Sequence, residues 1–261
     1  MRITYIGHAT LLLEIGGLRL LTDPNFDPSL GGMLKRVAPP GIPLEALPAL
    51  DAILVTHAHA DHLSFTTLQA LERHPIPTYA PPAVARWIRR KGIGTAVDLP
   101  PGEHATIGDI TITAAPAQHR GTRYAVDRWR HETNMYLVAT KEKSIFFAGD
   151  TALHENIDTV VHEKLSRVGR RLDVALLPIG YAPAWKRRSF RRGHLTSADA
   201  LTLFERVGAR HFIPYHWGTF NHVTSSAYDA ILELRAHVRT HPRGADVRIL
   251  EPGESYEELD V

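Results

Sequence analysis

The segment DAILVTHAHADHL, residues 51–63, carries the strongest structural signal in the chain. Its first part, DAILVT, is a short apolar run of the kind that forms a strand buried on both faces. Directly after it come four potential metal ligands, His57, His59, Asp61 and His62. Alternate residues of an extended segment point the same way, so His57 and His59 can share one metal ion. Asp61 and His62 follow in the turn toward the next helix, where they can reach a second ion.

Three further apolar runs also end in a residue that can bind a metal ion. ITITAAPAQ precedes His119, SIFFAG precedes Asp150, and HFIPY precedes His216. A buried strand holds the side chain at its end in a fixed place, so four such ends on one sheet edge can converge on one point. The carboxylate of Asp150 can then bridge two ions. Imidazole and carboxylate ligands suit zinc, manganese or iron, and we predict two divalent ions, with zinc favoured.

The composition is that of an ordinary globular protein. The chain has 261 residues, of which 44% are hydrophobic and 22% are charged, so we expect one domain over residues 1–261. The formal net charge of +2 gives no global field that demands an acidic partner. The absence of cysteine excludes disulfides, thiolate-bound zinc and a thiolate nucleophile. The 16 histidines favour a metal site, because histidine is the commonest metal ligand.

The order of elements predicts sheets that are covered by helices on their outer faces, because strands come first and then alternate with helices. Residues 24–48 are rich in proline and glycine and are expected to form a long loop. No stretch reaches the ~20 apolar residues of a membrane-spanning helix, and the N-terminal region alternates like strands, so we expect a cytoplasmic protein. Helices are expected at 64–74, 83–91, 154–168, 197–207 and 225–240, and a last strand at 247–250.

The motif THAHADHL, followed by PAQH, FFAGDT and PYHWGTF, resembles the metallo-β-lactamase fold superfamily. GHAT, LLTDP, LPIGYAPAW and HWGTF are similar to the branch of N-acyl-phosphatidylethanolamine phospholipase D and its bacterial relatives, and the ascorbate-6-phosphate lactonase branch shares GHAT. The resemblance implies a four-layer αββα sandwich with two metals at one edge between the sheets. It implies that one metal is held by His57, His59 and His119, the other by Asp61, His62 and His216, and that Asp150 bridges them.

Four further residues are weaker candidates. His194 lies just before a predicted helix and is expected to act on the substrate, as a hydrogen-bond donor or as a general acid for the leaving group. Asp61 is expected to take a proton from the attacking water. Asp23, in LLTDP, is expected to orient a ligand histidine. His8, in GHAT, is interpreted as a buried structural histidine.

The run WKRRSFRR, residues 185–192, carries five positive charges and two aromatic rings. One interpretation is a solvated loop. The other is a basic lip that attracts a phosphate-bearing substrate, a nucleic acid or an anionic membrane. On the second interpretation, Arg188 and Arg192 are candidate substrate-binding residues together with His194.

These residues predict a hydrolase, because paired metal ions lower the pKa of bound water from 15.7 to about 7. We favour a phosphodiesterase of the phospholipase D type, acting on a phosphorylated small molecule or lipid. A lactonase or another carbonyl-ester hydrolase is the alternative, since the same hydroxide serves both reactions. The small net charge disfavours a nuclease. A diiron redox protein is disfavoured, because in that branch a glutamate replaces the histidine at position 59.

Overall fold

The computed structural model describes residues 1–72, 75–123, 131–222 and 224–258. The strands are β1 (Arg2–Gly7), β2 (Thr10–Ile15), β3 (Leu18–Thr22), β4 (Ser29–Leu30), β5 (Leu34–Lys35), β6 (Ala52–Leu54), β7 (Thr78–Ala80), β8 (Ala96–Asp98), β9 (His104–Ile107), β10 (Ile110–Pro116), β11 (Asn134–Ala139), β12 (Ser144–Phe147), β13 (Val174–Pro178), β14 (His211–Tyr215) and β15 (Ser255–Glu257). The α-helices are α1 (Phe65–Leu71), α2 (Pro82–Arg90), α3 (Thr159–Lys164), α4 (Ala184–Phe190), α5 (Ser197–Val207) and α6 (Asp229–Val238).

The strands form two main sheets and one small hairpin. The first sheet has the order β15-β1-β2-β3-β6-β7-β8, antiparallel up to β3 and parallel from there on. The second has the order β14-β13-β12-β11-β10-β9, in which β12, β13 and β14 are parallel and the other pairs antiparallel. Strands β4 and β5 pair with each other. The predicted αββα sandwich is confirmed.

The alternation of apolar residues builds the layers. In β2, Leu11 and Leu13 face the core that both sheets share, whereas Leu12 faces the outer core beneath α1 and α2. On the far side, α5 packs on β13 and contributes Phe204 to the core. Each sheet therefore has one face against its partner sheet and the other beneath helices. In the described residues, no helix is long and apolar enough to cross a membrane.

Local sequence patterns located most helices and strands. They failed where a residue far along the chain determines whether an element forms or where it begins. Helix α5 begins as predicted, because the Thr196 hydroxyl accepts the Asp199 N–H in a capping box. The end predicted for α1, at 74, lies outside the described residues. The helix predicted at 154–168 begins only at Thr159. The strand predicted at 247–250 is wrong: Val247 makes one isolated bridge to Phe212, and the last strand is β15, whose register is set by β1.

Gly149 lies at a crowded point between the sheets and yields a stability prediction. A Cβ there would stand 2.8 Å from Thr56 Cγ2 and 2.9 Å from the Asn134 carbonyl oxygen, at a φ of +56°. We expect Gly149→Ala to lower the free energy of unfolding by about 2–5 kcal/mol, from left-handed strain plus overpacking. Urea denaturation measures this loss.

Gly208→Ala is the matched control, because Gly208 has a φ of +62° and open space around it. Left-handed strain alone predicts a loss of about 1–2 kcal/mol there. Equal losses in the two variants would show that crowding at Gly149 is unimportant.

Candidate metal centre

The predicted ligands meet at the seam between the two sheets. Residues 57–62 follow β6 of the first sheet. His119, Asp150 and His216 follow β10, β12 and β14 of the second sheet. Because β12 and β14 are both parallel to β13, their carboxyl ends reach the same edge of the sheet. Each sheet therefore supplies part of the centre.

In the described part of the chain, the side chains form two clusters in which all candidate ligand atoms lie within 4.8 Å of one another. The first cluster comprises His57, His59, His119 and Asp150, and the second comprises His8, Asp61, His62 and His216. All seven residues predicted as ligands lie in one cluster or the other. His8 is an additional member of the second cluster, whereas from the sequence it is interpreted as a buried structural histidine. Ligation itself stays a prediction.

The carboxylate of Asp150 lies between the two clusters. Its Oδ1 is 3.4 Å from His216 Nε2, and its Oδ2 is 3.5 Å from His62 Nε2. The same Oδ2 lies 4.0 Å from His119 Nε2 in the other cluster. A bridging role requires this intermediate position.

Four buried atoms of the centre have no hydrogen-bond partner among the described residues. They are His57 Nε2, His62 Nε2, His216 Nε2 and Asp150 Oδ1. An unsatisfied buried polar atom costs about 1–3 kcal/mol, so four of them around one point need a common partner. A divalent cation fits, because it accepts a lone pair from each atom, and a nitrogen and oxygen donor set suits zinc, manganese or iron.

The fully buried carboxylate of Asp23 orients two of the histidines. It accepts hydrogen bonds from Thr56 N, Thr56 Oγ1 and His62 Nδ1, each 2.7 Å long. Because His62 donates from Nδ1, its Nε2 lone pair faces the centre. Thr56 Oγ1 also accepts from His57 Nδ1 at 2.9 Å, which leaves His57 Nε2 facing the same point. This is the arrangement that the orienting role predicted for Asp23 requires.

His119 is oriented from another part of the chain. Its Nδ1 donates to the Gly193 carbonyl oxygen at 2.7 Å, and its Nε2 lies 3.1 Å from His59 Nδ1. A Cβ at position 193 would stand 3.1 Å from His119 Nδ1, so the close approach favours glycine. Sequence reasoning did not find this contact, because no local pattern joins residues 119 and 193.

Electrostatics keep the Asp150 carboxylate charged. Burial raises the pKa of Asp150, but the nearby His216 and His62 lower it well below its usual range. Burial lowers the pKa of His119 to about 3, so that imidazole is neutral. His62 and His216 differ: although burial lowers their pKa values, Asp150 raises both, that of His216 to about 9. Negative carboxylates facing positive or neutral imidazoles are what a cation site presents when no cation balances the charge.

The backbone of the centre is strained. In the described residues, the non-glycine positions with positive φ are His8 (55°), Asp23 (34°) and His216 (71°). Such conformations cost of order 1–3 kcal/mol each and tend to cluster at functional sites. His8 is held by its own carbonyl, which accepts the His216 N–H at 2.8 Å, and its Nε2 lies 3.0 Å from Asp61 Oδ2. The strain therefore positions two members of the second cluster.

His194 stands at the rim of the centre. Its Nε2 is 3.6 Å from Asp150 Oδ2, and its Nδ1 is 3.4 Å from the Phe190 carbonyl oxygen. The ring stacks on Phe190 with centroids 4.6 Å apart. Burial lowers the pKa of His194, so the neutral imidazole is favoured. The structure thus brings His194 to the predicted metal ligands.

Most of the basic run 185–192 is helical, because it falls within α4 and the turn that follows it. Arg187 Nη2 lies 3.5 Å from Glu233 Oε1, and Arg191 Nε donates to Asp199 Oδ2 at 2.9 Å. Arg188 lines a separate cleft, and Arg192 is exposed. A small cavity beside Asp61 and His216 is lined by neither Arg188 nor Arg192. A role in substrate binding stays a prediction for both arginines.

This geometry agrees with what the chain is similar to. The family described as beta-lactamase superfamily domain matches residues 18–217. The chain belongs to this superfamily. The N-acyl-phosphatidylethanolamine-hydrolyzing phospholipase D 1 of Caenorhabditis elegans is 31% identical, with 98% of this chain and 76% of the relative covered. A metal-dependent hydrolase of Methanopyrus kandleri is 30% identical, with 98% of this chain and 100% of the relative covered.

Solved structures share the same fold. The isothiocyanate hydrolase from Delia radicum gut bacteria aligns with a TM-score of 0.76 at 23% identity, over 98% of this chain and 99% of that one. At this identity the likeness concerns the fold alone. The family match, the curated relatives and the two His/Asp clusters identify the chain as a metal-dependent hydrolase of the metallo-β-lactamase superfamily.

Proposed function

We propose that the protein is a phosphodiesterase that uses two divalent ions, with zinc favoured, and acts on a phosphorylated small molecule or lipid. The observation that carries the proposal is the pair of clusters with Asp150 between them. A phosphodiester has two non-bridging oxygens that share its negative charge, and a paired cation site can neutralise that charge. Similarity to a phospholipase D supports this choice of bond.

The proposed ligands follow the two clusters. One ion is assigned to His57, His59 and His119, the second to Asp61, His62 and His216, with Asp150 shared. Once bound, the ions would supply a nucleophile at neutral pH and stabilise negative charge. His8 is placed as the partner of Asp61, since its Nε2 lies 3.0 Å from the carboxylate.

Two side chains are proposed to move protons. Asp61 is partly exposed, with 25% of its side chain accessible, so it can take a proton from an attacking water molecule. His194 is proposed to act on the leaving group through Nε2, because its Nδ1 is directed to the Phe190 carbonyl oxygen and Nε2 lies 3.6 Å from Asp150 Oδ2. To serve as a proton donor, Nε2 must first take up a proton, which gives the charged imidazolium. A lactonase or another ester hydrolase is the second candidate, because Asp61 and His194 would serve a carbonyl substrate in the same way.

The test is to count metals by elemental analysis and to assay the same sample on bis(p-nitrophenyl) phosphate and on a panel of lactones. About two metals per chain and diester turnover that a chelator abolishes are expected. Turnover of lactones alone would replace the phosphodiesterase with a carbonyl hydrolase. Fewer than one metal per chain after reconstitution would overturn the ligand assignment.

The His194→Ala variant tests the proposed proton donor. We expect kcat on a diester to fall about 10²-fold or more, with the metal content unchanged, because general acid catalysis contributes on this scale. His241→Ala is the control, since His241 Nε2 lies 3.2 Å from Glu205 Oε1, away from the centre. An unchanged kcat in His194→Ala would contradict the proton-donor role.

A further inference from the structure

A small cavity adjoins the second cluster, and nothing described so far assigns it a role. Its volume is about 140 Å³, and Asp61 and His216 are among its lining residues. We call it the side pocket. Its apolar lining residues include Leu30, Leu34, Ile179, Tyr181, Phe190 and Phe220.

The size of the side pocket limits what can enter. At about 30 Å³ per water molecule, its volume corresponds to about five waters, well below the roughly 300–1,000 Å³ of pockets for drug-sized ligands. Leu30 and Leu34 belong to the β4–β5 hairpin, whereas Phe190 belongs to α4, so separate elements form its walls. A compact apolar group fits this space, and a long hydrocarbon chain does not.

Among the described lining residues of the side pocket, Lys186 is the only lysine, and there is no arginine. The side chain is half-buried and makes no ion pair with any described residue, whereas its helix neighbours Arg187 and Arg191 are paired with Glu233 and Asp199. Lys186 is thus a positive charge with no ion-pair partner among the described residues, beside a cavity that is apolar in part.

A second lining residue, His222, carries no negative charge that could pair with Lys186. Burial, and then the charge of Lys186, lowers the pKa of His222, which places a neutral imidazole beside the ammonium group. Among the described lining residues the acidic one is Asp61, which is already paired with His8. The charge of Lys186 is therefore available to a ligand.

We infer that the side pocket binds a compact apolar group of the substrate. Lys186 then pairs with a second negative charge of the substrate, which lies away from the phosphodiester group. The substrate class is then a small organic anion with a short alkyl or aryl group. This inference rests on the proposed hydrolase function. It favours the phosphorylated small molecule over the lipid.

The test uses diesters that share one p-nitrophenyl leaving group and differ in the second group: 4-carboxybutyl, pentyl or hexadecyl. We expect kcat/KM for the carboxybutyl diester to exceed that for the pentyl diester about tenfold, as one charged hydrogen bond allows. Lys186→Met should remove this preference, so that kcat/KM becomes similar for the two diesters. Arg187→Met, which removes one positive charge at the next residue, should keep it.

The outcomes separate this inference from the proposed function. Turnover of the pentyl diester without a preference for the carboxylate would overturn the role of Lys186 and leave the phosphodiesterase intact. Equal turnover of the hexadecyl diester would overturn the size limit. If no diester is hydrolysed, pentanoate binding is measured by calorimetry: about tenfold weaker binding in Lys186→Met than in Arg187→Met supports the pocket, and equal affinity overturns it.

Discussion

Replacing Asp150 with asparagine is expected to lower kcat/KM by about 10³-fold or more and to reduce the number of metals bound. The two side chains have the same shape, so the fold is retained. The amide is neutral and has a single acceptor oxygen, whereas Asp150 presents one carboxylate oxygen to His216 and the other to His62 and His119. Its NH₂ group would face a cation or a protonated imidazole, and neither can accept a hydrogen bond.

Elemental analysis and diester kinetics on Asp150→Asn measure this effect, and thermal unfolding checks the fold. Asp158→Asn is the matched control, because Asp158 accepts a hydrogen bond from Arg206 Nη2 at 2.7 Å and lies outside both clusters. The control should keep its metals and its activity within twofold. Full metal content and activity in Asp150→Asn would show that no shared ligand stands at this position.

Asp23→Asn is expected to weaken metal binding about 10–100-fold, although residue 23 belongs to neither cluster. The carboxylate accepts three hydrogen bonds, two from Thr56 and one from His62 Nδ1. An asparagine can accept through its oxygen only. If its NH₂ group takes the place of Oδ2, both His62 Nδ1 and Thr56 Oγ1 lose their acceptor, and if it takes the place of Oδ1, Thr56 N does. Asparagine tolerates the left-handed backbone at φ 34°, so backbone strain does not confuse the result.

Competition with a chromogenic chelator measures the metal affinity of Asp23→Asn. We also expect the metal-free variant to lose about 1–3 kcal/mol of unfolding free energy, from the unsatisfied buried donor. Asp27→Asn, in the same loop, is the control and should leave the affinity unchanged. Wild-type affinity in Asp23→Asn would mean that the orientation of His62 does not depend on this carboxylate.

The sequence located the members of the centre where the signal is local. Each of four apolar strands runs into a ligand-type residue, and the topology then brings the strand ends together. His8 escaped this reasoning, because its place depends on a backbone contact with His216 far along the chain. The local feature that marks His8 is the glycine before it: Gly7 and His8 both have positive φ in the structure.

The substrate side of the centre was harder to predict for a similar reason. Knowing that Lys186, rather than Arg188 or Arg192, lines the side pocket requires knowing that α4 is a helix and how it is oriented. That orientation depends on Phe190, whose ring fills the space where a Cβ of Gly180 would lie. The sequence of the basic run alone does not distinguish its five positive charges from one another.

Because the centre lies between the two sheets, a partly folded chain does not contain it. The contacts His8–Asp61, His59–His119 and His119–Gly193 join residues 53, 60 and 74 positions apart. Contacts of such long range form slowly, since loop closure must come first. We therefore expect hydrolysis to appear only in the final phase of refolding, after the secondary structure, so that residual activity in a denaturant titration counts intact molecules.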